Sequence, residues 1–255
     1  MFKESLYSFF SIQVSRLEES LQDLNAFDNQ ESIHISRVCL KKIKTVLIFI
    51  EKLKTLGLSV KKILKKENEL FDILGKMREL NKQYELLQAS EVKLSLRFYE
   101  YQHYLNKQIE NEMLILKKID FCQIIYRLKS IQQNILEIID MYDDAYLYDE
   151  AILYINSEFE EINIIKNNLY DYKDWHYMRK CLKNNMYMMT IILDSHYNSE
   201  ITQEIINDID YIQDSIGNWH DEIVSFELLT LFVEKSQAIK QNRLIDYKKL
   251  IRNIP

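Results

Sequence analysis

The sequence predicts an all-α protein, and two observations support that fold class. Only three glycines and one proline occur in 255 residues, so the chain has almost no turn chemistry for a β-sheet. Apolar side chains recur at intervals of three and four residues along almost the whole chain, which is the period of a helix with one buried face. With 47% apolar residues, the chain is long enough for one large core or two smaller ones.

Polar clusters divide this periodic pattern into ten predicted helices, because such clusters mark helix starts and stops. The connections between them are short, so consecutive helices are expected to pack as antiparallel neighbours in bundles. The predicted helices lie near 2–26, 31–55, 60–88, 90–117, 119–141, 145–170, 173–197, 200–216, 218–235 and 237–253.

The charge is unevenly distributed along the chain. The formal net charge of -6 argues against a generic nucleic-acid-binding domain, because such domains are usually basic. Between Arg37 and Lys66, however, ten Lys or Arg residues stand against one acid, Glu51, which gives +9 in this segment and about -15 in the rest. This asymmetry predicts a local anion-binding site on an otherwise acidic protein.

The cysteines and the apolar stretches indicate the compartment. Cys39, Cys122 and Cys181 form no CxxC pair, so they fit neither a disulfide framework nor a zinc site, and no metal or other cofactor is predicted. No stretch approaches the roughly 18 apolar residues that a membrane-spanning helix needs. We therefore expect a cytoplasmic protein that is neither secreted nor inserted into a membrane.

An internal repeat relates two parts of the chain. The same four residue types recur with identical spacing, as His34, Arg37, Cys39 and Lys41 and as His176, Arg179, Cys181 and Lys183. A glycine follows each histidine after 41 residues, at Gly75 and at Gly217. Duplication of a helical unit, with an offset of 142 residues from His34 to His176, is the economical explanation.

A helix through the first copy has two opposite faces. At about 100° per residue, Arg37, Lys41 and Lys44 lie within about 80° of His34, and the apolar residues lie on the other side. These side chains would supply charge-assisted donors about one turn apart, close to the spacing of phosphates in an extended polymer. The face predicts a linear phosphate polymer as ligand. The alternative is a row of solvated cations, with histidines that only bridge helices.

The second copy is weaker in charge. His176, Arg179 and Lys183 occupy the same angles, but Met186 stands where the first copy has Lys44. We therefore expect a lopsided site in which the first copy carries most of the binding.

These motifs resemble those of the CHAD domain, the conserved histidine α-helical domain. The first half is similar in His34-x-x-Arg37-x-x-x-Lys41-Lys42-x-Lys44 and in Leu74-Gly75-x-x-Arg78-Glu79. The second half is similar in His176-x-x-Arg179-x-x-x-Lys183-x-x-x-Tyr187 and in Gly217-x-x-His220-Asp221. The resemblance spans nearly the whole chain and rests on both copies occurring in the order and spacing of the family.

The resemblance implies two pseudo-symmetric antiparallel four-helix bundles that form one compact helical domain with a basic groove or pore between them. Residues 1–142 would be the first helical-bundle repeat and residues 143–255 the second. The implied ligand is inorganic polyphosphate, and family members are often found with polyphosphate granules or fused to a triphosphate tunnel enzyme domain. Carried over to this chain, the ligand-facing residues would be His34, Arg37, Lys41, Lys44, Arg78, His176, Arg179 and Lys183.

No catalytic motif accompanies the repeat. The chain lacks a Gly-rich phosphate loop, an HExxH sequence and a GxSxG sequence, so we expect no enzyme and no catalytic residue. The leading hypothesis is non-catalytic binding of polyphosphate or a similar polyanion. Two others stay open: a helical interaction module whose basic face docks an acidic partner, and a phosphotransfer protein in which an exposed His34 accepts a phosphoryl group.

Overall fold

The computed structural model describes residues 1–24, 29–53, 59–167, 171–197, 200–236, 239 and 243–253. These residues contain ten α-helices and no strand, which confirms the all-α prediction. None of the helices they form is long and apolar enough to cross a membrane. In chain order the helices are α1 Phe2–Asp23, α2 Gln30–Lys52, α3 Val60–Ile63, α4 Lys65–Leu94, α5 Tyr99–Leu116, α6 Phe121–Asp140, α7 Asp144–Lys166, α8 Tyr172–Asp194, α9 Gln203–Lys235 and α10 Leu244–Asn253.

Several predicted boundaries differ from the observed ones. The predicted ends at 26, 55 and 170 and the predicted start at 237 lie outside the described residues. The predicted helix 60–88 is divided at Leu64 into α3 and α4, and α4 then continues past the predicted break at 89. It ends at Leu94 because Ser95 takes a left-handed backbone conformation, with φ 52°. The buried Glu91 carboxylate then accepts the backbone N–H of Phe98 at 2.7 Å.

The predicted break at Gly217 is wrong, because α9 runs through this residue without interruption. Arg179 of α8 donates from Nε to the backbone carbonyl of Gln213 at 2.9 Å. A β-carbon built on Gly217 would lie 2.9 Å from the same Nε and closer still to Cζ and Nη2. The glycine therefore accommodates the close approach of a guanidinium rather than ending a helix.

The helix bounds repeat with the offset of the sequence motifs. Gln30 and Tyr172 begin α2 and α8, Lys52 and Asp194 end them, and both pairs are 142 residues apart. Their N-cap residues, Asn29 and Asp171, also correspond, and each accepts backbone N–H groups of the first turn on its side-chain oxygen. α1 and α7 begin at Phe2 and Asp144, again 142 residues apart.

The chain forms two compact units, and both halves of the sequence contribute to each. The first unit is Met1–Phe71 with Asp120–Gly217, and the second is Asp72–Ile119 with Asn218–Pro255. The helices α4 and α9 therefore give their first turns to one unit and the remainder to the other. The grouping into two four-helix bundles, the division between residues 142 and 143 and the groove between the bundles stay predictions.

In the first unit, α2 and α8 meet through two corresponding contacts. Lys42 Nζ lies 5.6 Å from the centroid of the Tyr187 ring, and Thr45 Oγ1 donates to Asn184 Oδ1 at 3.1 Å. With the 142-residue offset, Lys42 corresponds to Asn184 and Thr45 corresponds to Tyr187. Each contact is therefore the counterpart of the other, as expected where a local two-fold axis relates two elements.

The first unit also joins α1 to α7 at their starts. The Asp144 carboxylate accepts the backbone N–H groups of Phe2 at 3.1 Å and of Lys3 at 2.8 Å. These two groups belong to the first turn of α1, which has no intrahelical acceptors for them. An anionic acceptor at this end of a helix is favoured by the helix dipole as well as by the hydrogen bonds.

The second unit has an aromatic core. The buried Tyr247 hydroxyl accepts the backbone N–H of Tyr101 at 3.2 Å and contacts a Glu100 carboxylate oxygen at 3.1 Å. Gln83 donates from Nε2 to Ser225 Oγ at 2.6 Å, and these two buried residues are again 142 residues apart. The core side chains are Leu87, Phe98, Tyr101, Leu105, Leu229, Phe232, Ile239, Tyr247 and Leu250.

Replacing Asp144 with alanine should destabilise the protein. Asp144→Ala removes the acceptor of two helix-terminal N–H groups, so we expect the free energy of unfolding to fall by about 1–2 kcal/mol in urea titrations followed by circular dichroism. Asp143→Ala is the matched control, because the Asp143 side chain makes no capping bond at the start of α7. An equal loss in the two variants would contradict the role given to Asp144.

A double-mutant cycle can test the contact between Arg179 and Gly217. Alanine in place of a mid-helix glycine normally raises stability by about 1 kcal/mol, but Gly217→Ala should give no gain because the new methyl group displaces the guanidinium. In an Arg179→Ala background the same substitution should recover the ordinary gain, measured by the same urea titration. A full gain in the chain with Arg179 intact would mean that the guanidinium does not constrain this position.

Candidate functional site

The basic face of α2 is arranged around Arg37. Its guanidinium donates from Nη1 to the backbone carbonyl of Phe71 in α4 at 2.6 Å. The same group lies over the Phe71 ring, with Cζ 4.1 Å from the ring centroid. One residue of α4 therefore fixes both the position and the plane of the guanidinium. His34, one turn earlier on the same face, is exposed.

Lys41 and Lys44 extend this face along α2, and both are half-buried. Lys41 Nζ lies 5.8 Å from the centroid of the Phe71 ring, and Lys44 Nζ donates to Asn68 Oδ1 at 3.4 Å. The aliphatic stems can thus pack against α4 while the charged ends stay near its surface. The structure brings four predicted residues of the first copy onto one face, which is bordered by the first turns of α4.

The sequence did not single out the residues of α4 that complete this face. Lys65, Asn68 and Phe71 recur at intervals of three, which places them on one side of α4. Asn68 and Phe71 contact the cations of α2 directly, and the exposed Lys65 adds a further cation on the same side. Their spacing was available as a signal, but only the observed contact identifies the side that faces α2.

Lys42 belongs to a different environment from the other cations of its motif. Its Nζ lies 5.7 Å from the centroid of the Phe9 ring and 5.6 Å from that of Tyr187, between α1 and α8. Burial lowers the pKa of Lys42, because the charged ammonium loses hydration there. Lys42 therefore helps to hold the helices together and is separate from the basic face.

The second copy repeats the arginine clamp. Arg179 donates to the backbone carbonyl of Gln213, 34 residues further along the chain, as Arg37 donates to that of Phe71 across the same separation. His176 is exposed and Lys183 is half-buried, as their counterparts in the first copy are. Three of the predicted second-copy residues thus lie on one face of α8.

The side chains that border the second copy are acidic. Gln213 replaces the aromatic Phe71, and its amide donates to Asp210 Oδ1 at 2.7 Å and to Asp214 Oδ1 at 2.6 Å. Asp210 stands at the position of Asn68, opposite Met186 at the position of Lys44. Burial, together with Asp210 and Asp214, raises the pKa of Tyr187 to about 12. The negative charge of α9 therefore reaches the helix pair at this copy.

The two basic faces lie on the same side of the α2 and α8 pair. In each helix, the residues that contact the other helix lie between the basic face and the apolar face: Lys42 and Thr45 in α2, Asn184 and Tyr187 in α8. Both apolar faces are buried. Since the contacts correspond to each other across the local two-fold axis, the faces opposite the core point in the same direction.

Arg78 is the one predicted site residue outside the first unit. It lies half-buried on the part of α4 that belongs to the second unit. The arrangement in the first unit thus involves seven of the eight predicted residues, and chemically it offers a row of oriented N–H donors for an extended anion.

Two solved structures have a similar fold. One is described as the crystal structure of the CHAD domain from the plant Ricinus communis, with a TM-score of 0.73, 12% sequence identity, and coverage of 100% of this chain and 85% of that chain. The other is PptA from Streptomyces chartreusis, with a TM-score of 0.65, 10% identity, and coverage of 99% of this chain and 93% of that chain. No protein-family model and no curated protein match the sequence.

At these identities the similarity establishes the fold and nothing further. The all-helical architecture, the duplicated histidine, arginine and lysine motif and the similarity over the full length agree with one another. The chain therefore has a CHAD-like fold.

Proposed function

We propose that this chain binds inorganic polyphosphate without catalysis, through the basic face formed by His34, Arg37, Lys41 and Lys44. The single observation that carries this proposal is the fixation of Arg37 and Lys41 on the Phe71 ring, with Lys44 beside Asn68. Donors held in place lose little freedom when an anion binds, so more of the interaction energy contributes to affinity. The resemblance to CHAD domains supports polyphosphate as the polyanion.

The geometry also supports an unequal contribution from the two copies. A polyanion that follows the first copy meets the cations of α2 and the exposed Lys65 of α4. Along the second copy it meets Arg179 and Lys183, but also Asp210 and Asp214. Repulsion from these two carboxylates opposes the attraction of the two cations. We therefore propose that most phosphate contacts are made in the first copy.

The phosphotransfer alternative concerns the same exposed histidine. A phosphoryl acceptor must be reachable by a donor, and exposed His34 meets that condition. The cations beside it serve equally well to bind a phosphate that is not transferred. An assay for an acid-labile phosphoryl label on His34 separates the two functions, and we expect no label.

Neutralising the lysines of the first copy should weaken polyphosphate binding. Lys41→Gln combined with Lys44→Gln removes two cations and leaves the bond from Arg37 to Phe71 in place. We expect affinity for labelled long-chain polyphosphate, measured by fluorescence anisotropy at low salt, to fall by about tenfold or more. The wild-type affinity should fall with salt at a logarithmic slope of about 0.7 per phosphate contact, and the variant should have a shallower slope.

Lys93→Gln combined with Lys107→Gln is the matched control, because both lysines are exposed and the net charge changes equally. This control should bind nearly as the wild type does. If the wild type does not bind polyphosphate at low salt, or binds it independently of salt, the proposed ligand is wrong. The basic face would then belong to a module that docks an acidic partner.

Converting the second copy to the pattern of the first should increase binding. Met186→Lys combined with Asp210→Asn adds the missing cation and removes the carboxylate opposite it. We expect affinity for polyphosphate to rise by about three- to tenfold at low salt, with a logarithmic salt slope steeper by about 0.7.

The reciprocal exchange serves as the control for this gain. Lys44→Met combined with Asn68→Asp gives the first copy the pattern of the second and should reduce affinity by at least as much as the first exchange raises it. Circular dichroism verifies that each variant keeps its helical content. An unchanged affinity after Met186→Lys and Asp210→Asn would show that polyphosphate does not contact the second copy.

A further inference from the structure

The helix α6 covers part of the first repeat. Lys129 pairs with the Glu18 carboxylate of α1, with 2.7 Å between Nζ and Oε2, and Gln132 Nε2 donates to Ser11 Oγ at 2.8 Å. On its other side, Arg127 donates to the backbone carbonyl of Ile63. α6 thus fills the space beside both α1 and the start of α4.

No described helix fills this position in the second repeat. At the offset of 142 residues, α7, α8 and α9 correspond to α1, α2 and α4, and α10 corresponds to residues 102–111 within α5. α6 itself connects the two repeats and has no counterpart among the described helices. The surface that corresponds to its binding site lies on α7 and on the first turns of α9, all within the first unit.

This surface has kept its apolar side chains although the cover is missing. Leu70 is 0% exposed in the first repeat, whereas its counterpart Ile212 is 47% exposed. Phe10, also 0% exposed, corresponds to the half-buried Ile152. The pattern is stronger at Ser11, where the first repeat is polar and the second has Leu153, 61% exposed. The uncovered face consists of Ile152, Leu153, Phe159, Ile205 and Ile212.

Acidic side chains border the uncovered face. Glu160 keeps the position of Glu18, the acid that pairs with Lys129 of α6. Asp208 replaces Lys66, which donates to Gln123 of α6. Both acids are exposed. A helix on this face therefore meets more negative charge than α6 meets, and cations on its edges are favoured.

One further replacement defines the shape of the missing helix. The buried Glu67 lies 3.7 Å from the Arg127 guanidinium of α6, and its counterpart in the second repeat is the buried Ile209. A helix that brought an arginine to this point would bury a charge without a partner. The face accordingly fits a helix with an apolar residue there.

We propose that the uncovered face docks a basic amphipathic helix of a protein partner, in the manner in which α6 docks on the first repeat. Exposed contiguous apolar side chains with a polar border are typical of helix-binding surfaces. A second copy of the chain is disfavoured as the occupant, because a two-fold contact would bring the same acidic border against itself. The site is separate from the basic face and takes a ligand of opposite charge.

The test uses a peptide derived from α6. A fluorescein-labelled peptide with the sequence of residues 121–140 carries Arg127→Leu, Glu137→Lys and Asp140→Lys, which fits it to Ile209 and to the acidic border. Titration with the full chain should give saturable binding by fluorescence anisotropy, with a dissociation constant of about 1–100 μM. A scrambled peptide of the same composition, which lacks the apolar face, should not bind.

Two pairs of substitutions examine the face and its border separately. Leu153→Ser with Ile212→Ser removes apolar contact, and we expect affinity for the peptide to fall by about tenfold or more. Glu160→Lys with Asp208→Lys should weaken binding comparably at low salt and remove most of its salt dependence. Ile12→Ser is the matched control, because Ile12 is exposed on α1 away from this face and should leave affinity unchanged.

Three results would overturn the proposal: no binding of the peptide, equal binding of the scrambled peptide, or a chain that self-associates in sedimentation until Leu153→Ser and Ile212→Ser are introduced. The last result would assign the face to a second copy. Polyphosphate affinity of the Leu153→Ser and Ile212→Ser variant should equal that of the wild type. Failure of the peptide test therefore leaves the proposed polyphosphate function standing, and loss of polyphosphate binding leaves this proposal standing.

Discussion

The bond from an arginine guanidinium to a backbone carbonyl of a later helix is the contact on which the first unit depends. It occurs twice, from Arg37 to Phe71 and from Arg179 to Gln213, across the same separation in sequence. A guanidinium is always charged and planar, so a carbonyl that accepts from it fixes both distance and orientation. Each bond joins the helix that carries the cations to the helix that borders them.

Around this shared contact, the two copies have diverged in electrostatics rather than in geometry. An aromatic ring in one copy and an amide flanked by two carboxylates in the other occupy the same place, at Phe71 and Gln213. Substituting side chains on a fixed backbone frame changes the local potential without repacking the core. The same process explains the uncovered face, where the absence of a helix is accompanied by the change from Glu67 to Ile209.

The general fold and the residues of the basic face could be predicted from sequence because both follow from helical periodicity. The angles of His34, Arg37, Lys41 and Lys44 need only the pitch of a helix. The break at Gly217 was predicted wrongly, since a glycine costs a helix only about 1 kcal/mol and tertiary contact outweighs it. The partner of Arg179 is a main-chain carbonyl, which every residue possesses, so no pattern of side chains could reveal it.

The position of Lys42 shows a second limit of sequence reasoning. It lies at the edge between the two faces of α2, where helical angle alone does not decide between solvent and a neighbouring helix. The decision depends on Phe9 and Tyr187, which reach it from other helices. The role of α6 is beyond local pattern for the same reason, because it depends on which surfaces the helix separates.

The buried pair of Gln83 and Ser225 has a consequence for the history of the chain. The two residues correspond to each other in the repeat and meet directly at 2.6 Å, so in an ancestor made of two identical chains the same residue would have faced itself across the symmetry axis. Two serines would be too short to touch there, and two glutamines would compete for the volume of one. Joining the halves in one polypeptide allowed a long and a short side chain to share the axis, a combination that a symmetric dimer has no means of encoding.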